Sequence, residues 1–523
     1  MRMKPLQIIE RYIEQATVAN VCGKTIVANL PVTDIVDVVS KLYREHGLPL
    51  KLITAIDERE ANGFFRIIYL FGLPTEQMFL AVSIQVQDEF PSITPVIHSA
   101  SNYERKIMTF FGLQPIGHPD PRTIILHENW PTAVFPLRKD FAWNSRPPIA
   151  DGSFRFNELE GEGIYQIPVG PVHAGIIEPG HFRFSVAGED ILLLEARLGY
   201  SHKGSEKLFE TLPLAEKLLL AERISGDSSV SHALAFVQAV EALGNVTVSE
   251  QAGYLRVILA ELERIANHIG DIGAIMGDTG FNFGGAHCAR LRETVLQTNE
   301  KITGSRFLRG TIQIGGANVN LTHETKQDML LWLDTLQADF DQIIAIAEKS
   351  NSLLNRLKTT GTLSRQIALD HGVVGVAGRA VGFRMDARTD FPYDGYSKLE
   401  TPIAVEEGGD VYARYRVRVK EIATSVSLIK TALAVLLPEE REQLPAQVTL
   451  TPNSYAVGIV EGWRGDIVYL VATDKQGNIS RVAVRDPSFL NWSAIGYACQ
   501  GNIVPDFPLI NKSFNLSYSG NDL

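Results

Sequence analysis

The chain has 523 residues, of which 45% are hydrophobic and 21% charged, and it carries a net charge of −11. That length allows two or more domains, and that composition suits a protein with a large buried core. The acidic balance, with no concentrated basic block, speaks against nucleic acid as a partner, because phosphate binding needs a basic face.

In chain order, residues 1–15 (MRMKPLQIIERYIEQ) carry Glu10 and Glu14 inside an apolar pattern and predict a short amphipathic helix, not a signal peptide. Residues 34–45 predict a helix with Thr33 as its N-cap. Residues 64–71 and 78–85 predict strands joined by a PTEQ turn, and 103–111 a helix. The Pro-, Gly- and Ser-rich stretch 144–153, NSRPPIADGS, is the best boundary between two regions. Beyond it, 182–187 and 191–197 predict a hairpin about Gly188-Glu189-Asp190. Residues 251–269 place Leu255, Ile258, Leu259, Leu262, Ile265 and Ile269 at helical spacing, and 325–348 repeat that pattern around Leu333, Leu336 and Phe340. Two such stripes must be buried against each other or against further helices, so a bundle is expected. Past residue 444 the texture turns to antiparallel strands, with Gly462-Trp463-Arg464-Gly465 as a turn. No apolar stretch approaches the ~20 residues of a membrane span, so any membrane association has to come through partners. The three cysteines, Cys22, Cys288 and Cys499, are far apart, which argues against a disulfide framework and against a Cys-x-x-Cys clamp. Few cysteines also fit a reducing compartment.

Residues 103–141 contain Glu104-Arg105, Phe111-Gly112, Gly117–Asp120, Arg122, Leu126, Trp130 and Pro136–Asp140. This stretch resembles the signature of the 30-kDa-type subunit of respiratory complex I. It departs from that pattern at Lys106 and Thr109, where the family is usually acidic. Arg122, Arg138 and Lys139 beside Asp120 and Asp140 form a mixed-charge arm suited to docking a neighbouring subunit. Residues 164–523 contain Gly170–His173 followed by GIIEPGHF, then HKGSEK from His202, Ala221-Glu222-Arg223, Phe281–Gly285, Arg290–Glu293 and Arg306–Gly316. They resemble the 49-kDa-type subunit of complex I and the large subunit of membrane-bound nickel–iron hydrogenases of the formate hydrogenlyase type.

The resemblance implies an α+β fold. A small α+β domain of 30-kDa type spans 1–143, a linker 144–153, and a mainly α-helical bundle with peripheral antiparallel β spans 154–523. It also implies where a nickel–iron centre would be held, by four thiolates in R-x-C-G-x-C and D-P-C-x-x-C. Here those motifs read Arg223-Ile224-Ser225-Gly226-Asp227-Ser228 and Asp486-Pro487-Ser488-Phe489-Leu490-Asn491, so Ser225, Ser228, Ser488 and Asn491 stand at the ligand positions. A hydroxyl is a hard, protonated, poor ligand for a soft metal. The family's quinone-head His and Tyr fall on Ile177 and on Leu214 or Thr211, so a quinone would need a non-standard pose.

The polar residues left in the frame are His173, Glu178, His181, Glu222, Arg223, Asp227, His232 and Asp486. Two readings stand. In one, Ser225, Asp227, Ser228 and Ser229 cap a helix and Glu222 and Arg223 form structural ion pairs. In the other, Glu178, Glu222, Arg223, His232 and Asp486 line a buried proton-relay cavity, with His173 and His181 as secondary contacts to a bound group. His118, His202, His268 and His287 read as structural or interface groups. Gly284-Gly285 and Gly315-Gly316 lack the spacing of a phosphate loop, so no nucleotide is expected on this chain. The resemblance implies a peripheral subunit of a membrane-bound, energy-converting oxidoreductase, at the cytoplasmic face of the cell membrane. It would bind no cofactor of its own. An iron–sulfur small subunit, which holds the cluster, and antiporter-like membrane subunits are its implied partners, with a formate dehydrogenase or an NADH-oxidising module as donor. A working hydrogenase and a non-catalytic scaffold remain as alternatives.

Overall fold

The computed structural model describes residues 24–157, 159–173, 177–319, 321–437, 445 and 447–523. The helix expected at 1–15, and Cys22, lie outside them. The α+β class is as expected. Near the N-terminus, β1 (Thr25–Asn29), β2 (Leu50–Asp57), β3 (Phe65–Leu73) and β4 (Met78–Val86) form one sheet in the order β1-β4-β3-β2. Only the β1–β4 pair is parallel. β3 is FRIIYLFGL, a run of β-branched and aromatic residues buried almost throughout, because the sheet is covered on both faces. The predicted strands match β3 and β4, and the turn between them is a 3-10 turn over Pro74–Glu76.

The helix expected at 34–45 is α1 (Ile35–Ser40), which runs on into a π turn over Lys41–Glu45. Thr33 does not cap it. Its hydroxyl donates to the Asp34 carboxylate instead, at 2.8 Å. α2 (Ser101–Phe111) carries Glu104, Arg105 and Phe111 and ends on the left-handed Gly112 of the FG pair. The stretch 144–153 has no helix or strand and is mostly exposed.

β5 (Ile164–Val169), β6 (His181–Ala187) and β7 (Asp190–Arg197) make a three-stranded antiparallel sheet, and β6–β7 is the expected hairpin. Helices α3 (Ser205–Thr211), α4 (Leu214–Ala221) and α5 (Ser229–Gly244) follow. The bundle is built by α6 (Glu250–Asp278), α7 (Asn282–Thr303), α8 (His323–Ala347) and α9 (Val411–Val435). The α6 and α8 stripes are buried as their spacing predicts. Their N-caps, Ser249 and Thr322, accept the amides of Ala252 and Thr325.

A last antiparallel sheet has β8 (Tyr455–Gly462), β9 (Gly465–Thr473) and β10 (Ile479–Arg485), and the Gly462–Gly465 turn is where the sequence puts it. α10 (Pro487–Cys499), α11 (Phe507–Phe514) and the short α12 (Tyr518–Asp522) end the described fold.

The last sheet lies between two cores. On β9, Ile467, Tyr469 and Val471 face the helical core, while Val468, Leu470 and Ala472 join the core of the N-terminal sheet. Strand alternation makes this possible. The seam between the two halves is polar as well. Lys51 on β2 pairs with Asp466 at 2.8 Å, and Asp466 also receives Arg485. Arg481 donates to Ala55 and to Glu206 of α3. The charged arm expected to meet another subunit docks on this chain's own second half: Arg122 binds Glu195 at 2.6 Å and Lys139 binds Glu210 at 3.0 Å. Lys106, at one position where the family is acidic, pairs with Glu206 at 3.2 Å.

Candidate functional site

The loop between α4 and α5, the start of α10, the β8–β9 turn and the approach to α12 meet at one place. Lys203 holds the loop by donating to the carbonyls of Arg223 and Ile224 at 2.6 and 3.1 Å. At the centre is Arg464, whose guanidinium grips Asp227 through two 2.6 Å bonds. Its Nη1 also reaches the hydroxyls of Ser225 (3.3 Å) and Ser228 (3.4 Å). Ser225 donates to Asp227 at 2.8 Å, which leaves its oxygen to accept from the Ser517 hydroxyl at 2.9 Å. The Ser488 hydroxyl accepts the Ser517 amide at 2.9 Å. Asn491 accepts the Val374 amide at 3.0 Å and donates to the Val374 carbonyl at 3.2 Å. All four positions are buried.

Three hydroxyls and an amide, each engaged in hydrogen bonds, are hard donors and do not fit a nickel–iron centre, whose metals take thiolates. Among the described residues, no group of three or more His, Cys, Asp or Glu converges as metal ligands would. Cys288 and Cys499 are buried at other positions, and burial pushes both thiols up to about 12.

Beside the serines, the fully buried His232 donates or accepts at both ring nitrogens, with Asp486 Oδ2 at 3.0 Å and the Tyr469 hydroxyl at 3.0 Å. Burial pushes the Asp486 carboxyl up, but His232 and Arg464 outweigh it and hold it below its usual range. Burial acts on Asp227 in the same way and is overcome by Arg464. The Asp486 Oδ1 caps α10 by accepting the Ser488 amide at 2.7 Å.

The expected serine cap of α5 is not formed. Ser228 precedes the helix without a side-chain cap bond, and Ser229 donates to the Phe307 carbonyl. Instead, Glu263 from α6 accepts the amides of Val230 (2.7 Å) and Ser231 (3.2 Å). A carboxylate suits those unpaired donors and the positive helix end. Burial nevertheless pushes Glu263 up to about 7, reinforced by the nearby Asp227 and only partly offset by the bonds from Ser231 and Val230. A cavity of about 280 Å³ opens beside Asp227 and Glu263, with Arg292 and Arg309 also in its wall.

The other sequence candidates divide. Glu222 is buried, accepts the Gly310 amide at 2.7 Å, and is pushed up by burial. It is not paired with Arg223. Arg223 is exposed and donates back to the Leu219 carbonyl at 2.7 Å, so it is no part of the cavity. Glu178 is at the rim, where it accepts the amides of Tyr518 and Ser519, each at 3.2 Å. His173 and His181 bond the carbonyls of Gly180 (2.8 Å) and Gly170 (3.2 Å), and neither bonds the serines. Sequence reasoning missed Arg464, Tyr469 and Glu263. The first was read as a turn residue, the second as a strand residue and the third as one of the polar positions of a helix.

The models of two families match: the respiratory-chain NADH dehydrogenase 30 Kd subunit over residues 28–147, and the 49 Kd subunit over 278–454 and 442–522. Formate hydrogenlyase subunit 5 of Escherichia coli (strain K12) is 32% identical over 501 residues, which cover 93% of this chain and 87% of that protein. The chain belongs to the family of fused 30-kDa-type and 49-kDa-type subunits. Within this superfamily, an NADH-quinone oxidoreductase subunit of Thermus thermophilus is 31% identical over 383 residues, 68% of this chain and 93% of that protein. Another NADH-quinone oxidoreductase subunit, from Phocaeicola vulgatus, is 30% identical over 401 residues, 73% of this chain and 77% of that protein. A solved membrane-bound sulfane sulfur reductase, an archaeal respiratory membrane complex, shares the fold, with a TM-score of 0.65 at 23% identity over 69% of this chain and 99% of that one. No helix among the described residues is long and apolar enough to cross a membrane.

Proposed function

We propose that this chain is the large subunit of an energy-converting oxidoreductase complex in which the former metal pocket works as a hydrogen-bonded polar relay, without a nickel–iron centre of its own. The observation that carries this reading is the replacement of all four ligand positions by groups hydrogen-bonded to their surroundings: Ser225 and Ser228 to the Arg464–Asp227 pair, Ser488 to Ser517 and Asn491 to Val374. His232 between Asp486 and Tyr469 can pass a proton between its two nitrogens. Glu222 and Glu263, both pushed up by burial, are groups that can hold one. Electrons would arrive from an iron–sulfur partner subunit, and membrane subunits of antiporter type would move the ion, at the cytoplasmic face. A quinone in a non-standard pose is one acceptor compatible with this arrangement, and a formate dehydrogenase or NADH-oxidising module would be the donor. The division into a 30-kDa-type domain up to residue 143 and a second domain from 154 is part of the same reading.

The similarity to formate hydrogenlyase subunit 5 over 93% of the chain is what favours a second reading, a working hydrogenase. Metal analysis of the purified complex separates the two. No stoichiometric nickel and no hydrogen uptake are expected, and either one at full occupancy would sink the first reading. His232→Phe and Glu222→Gln are expected to reduce turnover at least tenfold while the complex still assembles. Unchanged turnover in both would favour a scaffold.

A further inference from the structure

A cavity at the seam between the two halves plays no part in the relay. It has a volume of about 390 Å³ and is walled by α2, the GHPD loop, β7, α10 and Phe154 just after the linker. Its lining sets Arg105, Arg122 and Arg197 against Asp120 and Glu195, an excess of one cation, and the arginines are incompletely satisfied. Arg122 is fully used, by Asp120 at 2.8 Å and Glu195 at 2.6 Å. Arg197 gives Nη2 to Glu128 at 2.8 Å, but its Nε–H is buried without a partner. Arg105 spends Nε on the Arg122 carbonyl, and its Nη1 comes no nearer than 3.7 Å to Asp120. Burial, with Arg122 and Arg197 adding to it, outweighs Asp120 and Glu195 and lowers Arg105 to about 10. The lining also includes the apolar and aromatic side chains of Phe489, Trp492, Ile495 and Tyr497, interspersed with Ser493 and Gln500. A buried donor left unpaired is costly, and a guanidinium suits a carboxylate or phosphate in particular.

We propose that this cavity binds a small aromatic anion, an aryl phosphate or aryl carboxylate. Its oxygens accept from Arg105 and Arg197, and its ring lies against Trp492 and Phe489. The volume falls in the range of small-molecule sites. The cationic groups come from both halves of the chain, so the ligand ties the halves together. It is also held by the same helix, α10, that carries Ser488 and Asn491. The proposal stands apart from the relay reading, since it uses none of the relay's groups.

The test is calorimetric titration of the full chain in its complex with phenyl phosphate, inorganic phosphate and phenol, joined to hydrogen exchange. Phenyl phosphate is expected to bind at least tenfold more tightly than either fragment, and to slow exchange in residues 193–198 and 489–497. Arg105→Gln is expected to weaken it at least tenfold. Equal affinity for phenyl phosphate and inorganic phosphate would overturn the proposal, as would protection confined to other segments or no binding at all. The exchange measurement on the unmodified protein decides the matter even where the variant does not fold.

Discussion

The bundle and the serine pocket both bury charge, and they do it differently. In the bundle, Glu261 meets Arg264 at 3.1 Å and Arg388 at 3.1 Å, Glu421 meets Arg379 at 2.8 Å and His268 at 2.7 Å, and Asp386 meets Arg388 at 2.7 Å. Each carboxylate there has a guanidinium partner, and most have two cationic partners. Beside the pocket, among the described residues, Glu263 is bonded by amides and a hydroxyl, and Glu222 by the Gly310 amide with Arg223 and Arg309 acting on it from farther off. Groups crossed by several strong partners are fixed in charge. Where the partners are weaker, burial raises the carboxyl, and Glu263 is brought to about 7.

Removing a bundle cation should give the largest effect. Arg388→Leu leaves Asp386 and Glu261 short of charge, and about 3–5 kcal/mol of stability is expected to be lost in chemical denaturation. The next is the pH response of Glu263. Its folded value of about 7 lies above the ordinary 4.5, so the native state keeps a proton that the unfolded state releases. Stability therefore falls as pH rises from about 4.5 to about 7 and changes no further through this group above that. Glu263→Gln should flatten that slope by about 1–3 kcal/mol across the window, measured as unfolding free energy against pH. An unchanged slope would mean that Glu263 is as fixed as the bundle carboxylates.

Lys106→Met should cost about 1 kcal/mol in the same assay, because Glu206 keeps Arg481 at 3.1 Å. The exposed pair Arg290–Asp339, at 2.9 Å, marks the lower limit. Arg290→Ala should change stability by less than about 1 kcal/mol. A larger loss there would blur the distinction between buried and exposed charge on which the comparison rests.

Much of the fold was legible where one face is apolar. The α6 and α8 stripes, the β6–β7 hairpin and the β8–β9 turn follow from spacing alone. α9 was not legible because its buried face carries Arg414, Arg418 and Glu421, which hide the stripe from an apolar count. β1, β2 and β5 were missed as strands, and α5 was seen only at its start, where serines suggested a cap that Glu263 supplies from a distant turn of sequence. In the site, the four changed positions, Glu222, His232 and Asp486 came from the resemblance to the family's motifs, not from composition or periodicity. Arg464 could not be read, since nothing local marks a turn arginine as the centre of a cluster drawn from four segments. Arg223 misled because adjacency to Glu222 in sequence put the two side chains on opposite sides of a helix end.

β9 has a mechanical consequence. Tyr469 holds His232 by its hydroxyl, and its two neighbours along the strand are wedged into the core beneath the N-terminal sheet. No cushioning layer stands between the two environments, only the thickness of a single backbone. A tilt of the N-terminal sheet that exceeds the slack of Val468 and Leu470 must therefore move the phenol, and with it the geometry of the imidazole.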